Sequence, residues 1–268
     1  MKKLFSILAV VLVCFVLVAG GKAESQEGTV IVVGATPEPH AEMLNLVVDN
    51  LVEQGYTLKI QEFTDYVTPN QALEDGDIDA NFFQHKPYLD SFNKEHNYNL
   101  VSAGGIHIEP LALYSKSVKT VEDFQDGQTI AIPNDPTNEG RALLLLQSAG
   151  LITLEDSSNL EATPINIKDN PKNLKFTEIE AATLPRILTE VDGAVINGNY
   201  AIPAGLIATR DGLFVEGSDS PYVNVIAVKA GNENNPGIIA LVAALHSEEV
   251  KQWVAETYPN GEVVLVNN

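Results

Sequence analysis

Two hydrophobic periods alternate along this chain. Residues 29–34 are an apolar, β-branched run that stops at the loop Ala35-Thr-Pro-Glu-Pro-His40. Met43, Leu46, Val47, Val48 and Leu51 then recur at helical spacing, and Gly55 ends that pattern. Residues 57–63 alternate as a strand. Thr68-Pro69 reads as cap and first position of a short helix that closes before Gly76. A strand over 78–82, a helix over 87–93 and a strand over 100–108 follow. Such alternation predicts a mainly parallel sheet with helices on both faces.

From Pro110 the pattern restarts. Residues 111–114 are apolar and extended, and Thr120-Val-Glu-Asp123 has the form of a capping box. Strands over 129–132, 174–179 and 193–196, with helices after Thr137 and over 183–188, make a second α/β unit. A late strand over 222–229, helices over 236–245 and 247–258, and a strand over 262–266 complete the chain. No repeat or low-complexity linker separates the halves. They are therefore expected to be joined by extended crossings near 110–115 and 220–228, which makes a hinge with a cleft between two lobes. The expected division is 24–111 with 225–268 for one lobe and 112–224 for the other. Clefts of this kind are common ligand sites.

The first residues read as an export signal. Lys2 and Lys3 precede a nearly unbroken apolar run over 4–18, followed by Ala19, Gly20 and Gly21. Gly21-Lys22-Ala23 fits a small-x-small cleavage site and makes residues 1–23 the signal. Val18-Ala19-Gly20 also resembles the residues before a lipidated cysteine, but position 21 is glycine, and Cys14 lies inside the apolar run. Two readings stand: an exported soluble protein, or a lipoprotein whose anchor cysteine has been replaced. The remaining chain has no cysteine, so its core must hold the fold without disulfides.

Charge narrows the partners. The formal net charge is −20, and losing Lys2, Lys3 and Lys22 takes it to −23 for residues 24–268. Nucleic acid is thereby excluded as an expected partner, and so are anionic membrane surfaces.

The candidate chemistry sits where strands end. Ile132-Pro-Asn-Asp-Pro-Thr-Asn-Glu-Gly-Arg141 runs from a strand into a helix through Pro133 and Pro136. Backbone N–H groups at that helix start, with Arg141 expected in the first turn, predict a pocket for a carboxylate, which a guanidinium fork grips with two parallel bonds. Asn138 could cap this helix or face the ligand. Asn81-Phe-Phe-Gln-His-Lys-Pro-Tyr88 places Phe83, His85 and Tyr88 at another strand end, and strand alternation sends one of Phe82 and Phe83 to the core. His85, a histidine without neighbouring ligands, reads as a polar contact rather than a metal ligand. Tyr66, Asn197-Gly-Asn199 and Asn224 also stand at strand ends or on a crossing. No Gly-x-Ser-x-Gly, phosphate-cradling glycine loop or cysteine nucleophile is present after the signal, and His107-Ile-Glu109 is a lone H-x-E. Together these favour a receptor over an enzyme, with no cofactor and no metal expected.

Several long motifs in one order carry a resemblance. They are Phe63-Thr-Asp-Tyr-Val-Thr-Pro-Asn70, Gly76-Asp-Ile-Asp-Ala-Asn-Phe-Phe-Gln-His-Lys-Pro-Tyr-Leu89, the 132–142 segment, Ala194-Val-Ile-Asn-Gly-Asn-Tyr-Ala201 and Ser220-Pro-Tyr-Val-Asn224. From about residue 29 onward the chain resembles the methionine-binding lipoproteins of ABC importers. The resemblance implies an α/β, two-lobed periplasmic-binding-protein (type II) fold that closes on methionine. It further implies delivery to a membrane permease with its ATPase, and an exported, membrane-associated monomer. It implies that Arg141 holds the ligand carboxylate. Asn138, Asn199 or Asn197 (with Asn199 favoured), and Asn224 would fix the polar end. Tyr66, Phe83, His85 and Tyr88 would enclose the side chain. Gly21 stands where the family's anchoring cysteine is expected, so tethering is the one implied property the sequence does not carry. Two other readings stay open: a relative tuned to another small amino acid or a methionine-containing dipeptide, and a dehydratase-like enzyme on the same fold.

Overall fold

A computed structural model describes residues 28–217 and 220–266 of the chain. The export signal and the Gly21 position lie outside the described residues. The chain first builds β1 (Thr29–Ala35), β2 (Tyr56–Glu62), β3 (Ala80–His85) and β4 (Leu100–Ile108). It then crosses to a second sheet through β5 (Ala112–Tyr114) and β6 (Thr129–Pro133). A two-stranded excursion, β7 (Thr153–Leu154) with β8 (Ile167–Asp169), precedes β9 (Lys175–Ile179), β10 (Gly193–Ile196) and β11 (Gly212–Val215). The chain returns to the first sheet with β12 (Asn224–Lys229) and ends on β13 (Val264–Leu265). The sheets have the orders β13-β4-β12-β3-β1-β2 and β11-β5-β10-β6-β9. The molecule is a two-lobed α/β binding-protein fold, each lobe built on one sheet.

Both sheets are mixed, not mainly parallel. β1 runs parallel to β2 and β3, but β12 is antiparallel to β3 and β4, and β13 to β4. In the second sheet β6 is parallel to β9 and β10, while β5 is antiparallel to β10 and β11. Strands that arrive directly from the other lobe enter from the cleft side. They therefore run against those built by local strand–helix–strand turns.

Helices cover both faces of each sheet, because the strands are apolar on both. In the first lobe Val33, Phe82 and Ile106 pack with Met43, Leu44, Leu51, Leu241 and Leu245 on one face. Leu73, Ile78, Leu89 and Val225 fill the other. Leu113, Ile130 and Val195 pack with Leu143 and Leu146 in the second lobe, and Ala131, Ala194 and Ile196 with Leu184 and Leu188. Burying each such Leu or Ile contributes about 1.5–3 kcal/mol.

Local details depart from the expected pattern. The helix expected around Met43–Leu51 breaks into Glu42–Leu46 and Val48–Glu53 at Val47 (φ −97°, ψ 4°), the first of two consecutive β-branched residues. Thr68 does not cap the helix it begins. Val67 is the cap residue and makes no side-chain bond, and the turn before it is held by Asp65, whose carboxylate accepts from the N–H of Val67 and of Thr68 at 2.7 Å each. The Thr120 capping box is present, but it closes a single 3₁₀ turn, Val121–Asp123. β11 is absent from the sequence expectation because it is a four-residue, half-buried edge strand with little alternation to detect.

Candidate functional site

The site lies between the two sheets, at the points where the chain crosses. β4 passes to β5 through Glu109–Leu111, and β11 returns to β12 through the segment that begins at Glu216. A pocket with about 330 Å³ of non-atom space, part of it open to solvent, lies there. Tyr66, Phe83, His85, Tyr88, Asn138, Arg141, Asn197, Asn199 and Asn224 all line it, with Gln84, Glu109 and Gly198. All nine residues singled out in the sequence thus converge on one space. Phe82 points the other way, into the core, as strand alternation requires.

Arg141 is 4 % exposed and does not sit in the first helical turn. The helix is Pro136–Ser148, with Pro136 at its first position and Asp135 as its cap. The Asp135 carboxylate accepts from the N–H of Asn138 at 3.0 Å. The helix start is therefore filled by the protein's own anion and is not the carboxylate pocket; nor is Asn138 the cap. Arg141 reaches the cavity from the second turn. Its Nε donates to Glu216 Oε1 at 3.0 Å, and its Nη2 to Glu216 Oε2 and to the Glu109 carbonyl at 2.8 Å. The Tyr222 ring lies 4.4 Å from the guanidinium carbon. Among the described residues Nη1 donates to no protein group, so one edge of the fork remains for a ligand. Gly140 permits the approach of this helix to its neighbour: a β-carbon there would lie 2.2 Å from the Leu160 carbonyl oxygen.

The amides form a chain whose orientation is determined at one end. Asn138 Nδ2 donates to both Asp135 oxygens, at 2.9 and 3.1 Å. Its Oδ1 is thereby turned toward Asn197 Nδ2, at 2.7 Å, and His85 Nε2, at 3.1 Å. Asn197 Oδ1 is left buried with no protein partner, and so is Asn199 Nδ2, whose Oδ1 accepts from the Tyr66 hydroxyl at 2.5 Å. A free buried acceptor and a free buried donor cost about 1–3 kcal/mol each unless a ligand meets them. Both Asn197 and Asn199 line the cavity, although side chains two apart in a turn were expected to leave only Asn199 there. They occupy the cap and second position of the helix Gly198–Ala201, where the backbone is already turning.

The opposite wall is aromatic. The Tyr66 ring lies 5.9 Å from those of Phe83 and Tyr88, and 5.0 Å from that of Tyr200. The Tyr88 hydroxyl donates to the Tyr66 carbonyl at 2.7 Å. His85 caps the helix Lys86–His96, its Nδ1 accepting from Tyr88 N–H at 3.1 Å. Nε2 therefore carries the proton and donates to Asn138. Burial, and then the Arg141 charge, push the His85 pKa down to about 3, so it is neutral at pH 7. Gln84 is spent on Asn70 and Asn81, at 2.7–2.9 Å, and serves as wall.

Glu109, Glu216, Tyr222 and His40 were missed as site residues. The H-x-E is not lone: His40 Nε2 lies 3.3 Å and His107 Nε2 2.8 Å from Glu109 Oε1, all three buried. Only the fold brings His40 there. Glu109 did carry a signal, a lone acid at the end of an apolar strand just before the first crossing.

A cavity between two sheets, with a cationic and amide-lined end and an aromatic end, fits a small-molecule receptor of the binding-protein class. The chain belongs to the NlpA lipoprotein family, whose model matches residues 31–266. It is 50 % identical over 231 residues to membrane lipoprotein TpN32 of Treponema pallidum, covering 86 % of each chain. It is 41 % identical over 266 residues to D-methionine-binding lipoprotein MetQ of Escherichia coli K12, covering 97 % of each. Among solved structures, a nutrient-binding protein of Burkholderia cenocepacia bound to methionine superposes with a TM-score of 0.86 at 45 % identity, covering 88 % of this chain and 100 % of that one.

Proposed function

We propose that this chain is an extracytoplasmic receptor that captures methionine and delivers it to an ABC-importer permease with its ATPase, without transforming it. The observation that carries the reading is the polarity of the cavity. One end offers the free Arg141 Nη1, Asn199 Nδ2 and Asn197 Oδ1. The other is a wall of Tyr66, Phe83 and Tyr88. An α-amino acid with a compact apolar tail matches both. A thioether against aromatic rings adds about 0.3–1.5 kcal/mol per contact. The relatives named for methionine, and the Burkholderia structure bound to it, support the same ligand. In this reading residues 24–111 with 225–268 and residues 112–224 are the two lobes, and closing them forms the surface the permease recognises. The receptor acts as a monomer outside the cytoplasmic membrane.

The test is mass spectrometry of ligand released by denaturing the purified protein. Calorimetric titration of the stripped protein with L-methionine, D-methionine and a methionine dipeptide follows. Intact methionine released, with saturable one-site binding, is the expected result. A different intact ligand assigns another substrate, and a reaction product overturns the receptor reading in favour of an enzyme.

A further inference from the structure

The two lobes also meet outside the ligand space. Thr64 and Tyr66 follow β2, the edge strand of the first sheet that lies away from the crossing strands β4 and β12. Tyr200 follows β10 of the second sheet, in the helix Gly198–Ala201. The two tyrosines exchange contacts across the gap. The Tyr66 hydroxyl donates to Asn199 Oδ1 at 2.5 Å, and the Tyr200 hydroxyl donates to the Thr64 carbonyl at 3.2 Å. Their ring centroids are 5.0 Å apart, with the planes inclined at 37°. Two hydrogen bonds in opposite directions and one ring contact thus join the lobes at a point removed from the crossings. Tyr66 lines the ligand space, but Tyr200 does not; it borders an outer pocket with Pro37, Thr64, Asp65 and Glu180. A further contact between the lobes, Lys94 to Glu161, spans 3.8 Å between side chains 81 % and 40 % exposed, and water screens such a pair.

We propose that Tyr66 and Tyr200 latch the cleft shut, and that Tyr200 is a positioning residue that sets how long a closed complex lasts, not which ligand it takes. This rests on the receptor reading above and adds a kinetic role to it. Both hydroxyl bonds span the lobes, so both break when the lobes part, and they stabilise the closed state alone. A contact made in one state only shifts the open–closed equilibrium by its whole strength. The ligand meets the open state before the latch forms, so the latch acts on release and leaves association unchanged. Tyr66 joins the two functions: it is part of the aromatic wall, and the same ring packs on Tyr200. Moving that wall aside requires the pair to separate.

Tyr200→Phe tests the latch, because it removes one hydroxyl and keeps the ring against Tyr66. Stopped-flow kinetics on the full stripped chain measure methionine association and release, and calorimetry compares methionine with norleucine, which replaces the sulfur by a methylene. Loss of one hydrogen bond is expected to speed methionine release about 2- to 12-fold and to move association by less than about 2-fold. The methionine-to-norleucine affinity ratio and the thermal midpoint of the stripped chain are expected to stay at their wild-type values. An unchanged release rate overturns the proposal. A changed affinity ratio also overturns it, since Tyr200 would then act in recognition. So does faster release with a matching loss of stability in the stripped chain, which a purely structural tyrosine would give.

A second measurement reads the gap without reference to any one ligand. Gln61 and Glu180 are exposed, one on each lobe, and no cysteine follows Cys14, so Gln61→Cys with Glu180→Cys takes a spin label on each side of the cleft. In the protein as purified, Tyr200→Phe is expected to raise the ratio of long to short label distances by the same factor as the release rate. An identical distance distribution with and without the Tyr200 hydroxyl overturns the latch. If wild type binds no methionine, the methionine reading falls, and the label distances still decide the latch.

Discussion

Arg141→Lys separates the geometry of the fork from its charge. In the native site Nε and Nη2 are committed to Glu216 and to the Glu109 carbonyl, and Nη1 is left for the ligand carboxylate. A lysine ammonium is a compact point charge and cannot serve Glu216 and the cavity from opposite edges. Glu216 is the fixed, nearly buried partner, with its side chain 16 % exposed, so the ammonium stays there. The ligand carboxylate then enters a buried space beside Glu216 without its own donor. Losing one partner of such a pair costs about 2–5 kcal/mol, and about 3 kcal/mol is a little over two decades in Kd. Stability should change far less, by about 1 kcal/mol, because Glu216 keeps a cation. Arg141→Ala would be less informative, since it strands Glu216 and lowers stability together with binding. Calorimetric titration with methionine and urea unfolding of the same sample measure the two quantities. A Kd within about 5-fold of wild type, or binding and stability falling in proportion, would refute the shared fork.

Other outcomes follow from neighbouring contacts. Gly198→Ala places a methyl 2.7–2.8 Å from the Glu109 side chain and should cost about 1–3 kcal/mol of stability together with binding; thermal unfolding unchanged from wild type would remove the close-approach argument. Tyr66→Phe deletes the hydroxyl bond to Asn199 Oδ1 across the lobes and should weaken binding by about 0.5–1.5 kcal/mol while leaving the aromatic wall; titration with unchanged Kd would mean that bond does not hold the lobes shut. Burial holds His40 at about 4 and His85 and His107 at about 3, below the ordinary 6.5, so the unfolded chain binds more protons between pH 6.5 and about 4. Glu139 opposes them, because burial first, then Glu178 and Asp135, raise it to about 7 and the folded chain holds its proton earlier. The three histidines lower stability as pH drops from 6.5 to 5, and the raised acids Glu38, Glu109, Asp135 and Glu139 offset part of that fall. Urea unfolding that gives a flat or rising stability over that range would contradict their neutrality.

The candidate site was legible largely because strand ends are. Arg141, Asn197 and His85 each follow or end an apolar run that a packed sheet must contain, and an open α/β sheet gathers ligands at those ends. What sequence hides is the pairing of charges distant in the chain. Glu216 occupies two of the three guanidinium nitrogens of Arg141, and nothing near either residue announces it. His40 reaches Glu109 only after β1 and β4 have joined one sheet. Caps failed for a related reason. Asn138 and Thr68 are both good capping types, but an aspartate three residues earlier accepts the N–H of each, and side-chain type alone does not rank such rivals. Strand direction was misjudged because alternating strands and helices say nothing of a chain that leaves a sheet and returns from the other side.

The distribution of the site over the fold also bears on how a ligand would close it. Tyr66, Phe83, His85 and Tyr88 belong to the first lobe, and Asn138, Arg141, Asn197 and Asn199 to the second, while Glu109 and Asn224 flank the crossings. The aromatic wall is whole within one lobe: Tyr66, Phe83 and Tyr88 touch each other without help from the second. The charged end is not, since Arg141 must meet the Glu109 carbonyl before its free edge faces the ligand. An apolar tail can therefore lodge in the first lobe while the lobes are apart, but both charges of a zwitterion are met only when the second lobe arrives. Differential contact with the closed state is what shifts such an equilibrium. A ligand with the right tail and the wrong head should bind weakly and leave the lobes open, and selectivity for the head should appear in closure, read by small-angle scattering, as well as in affinity.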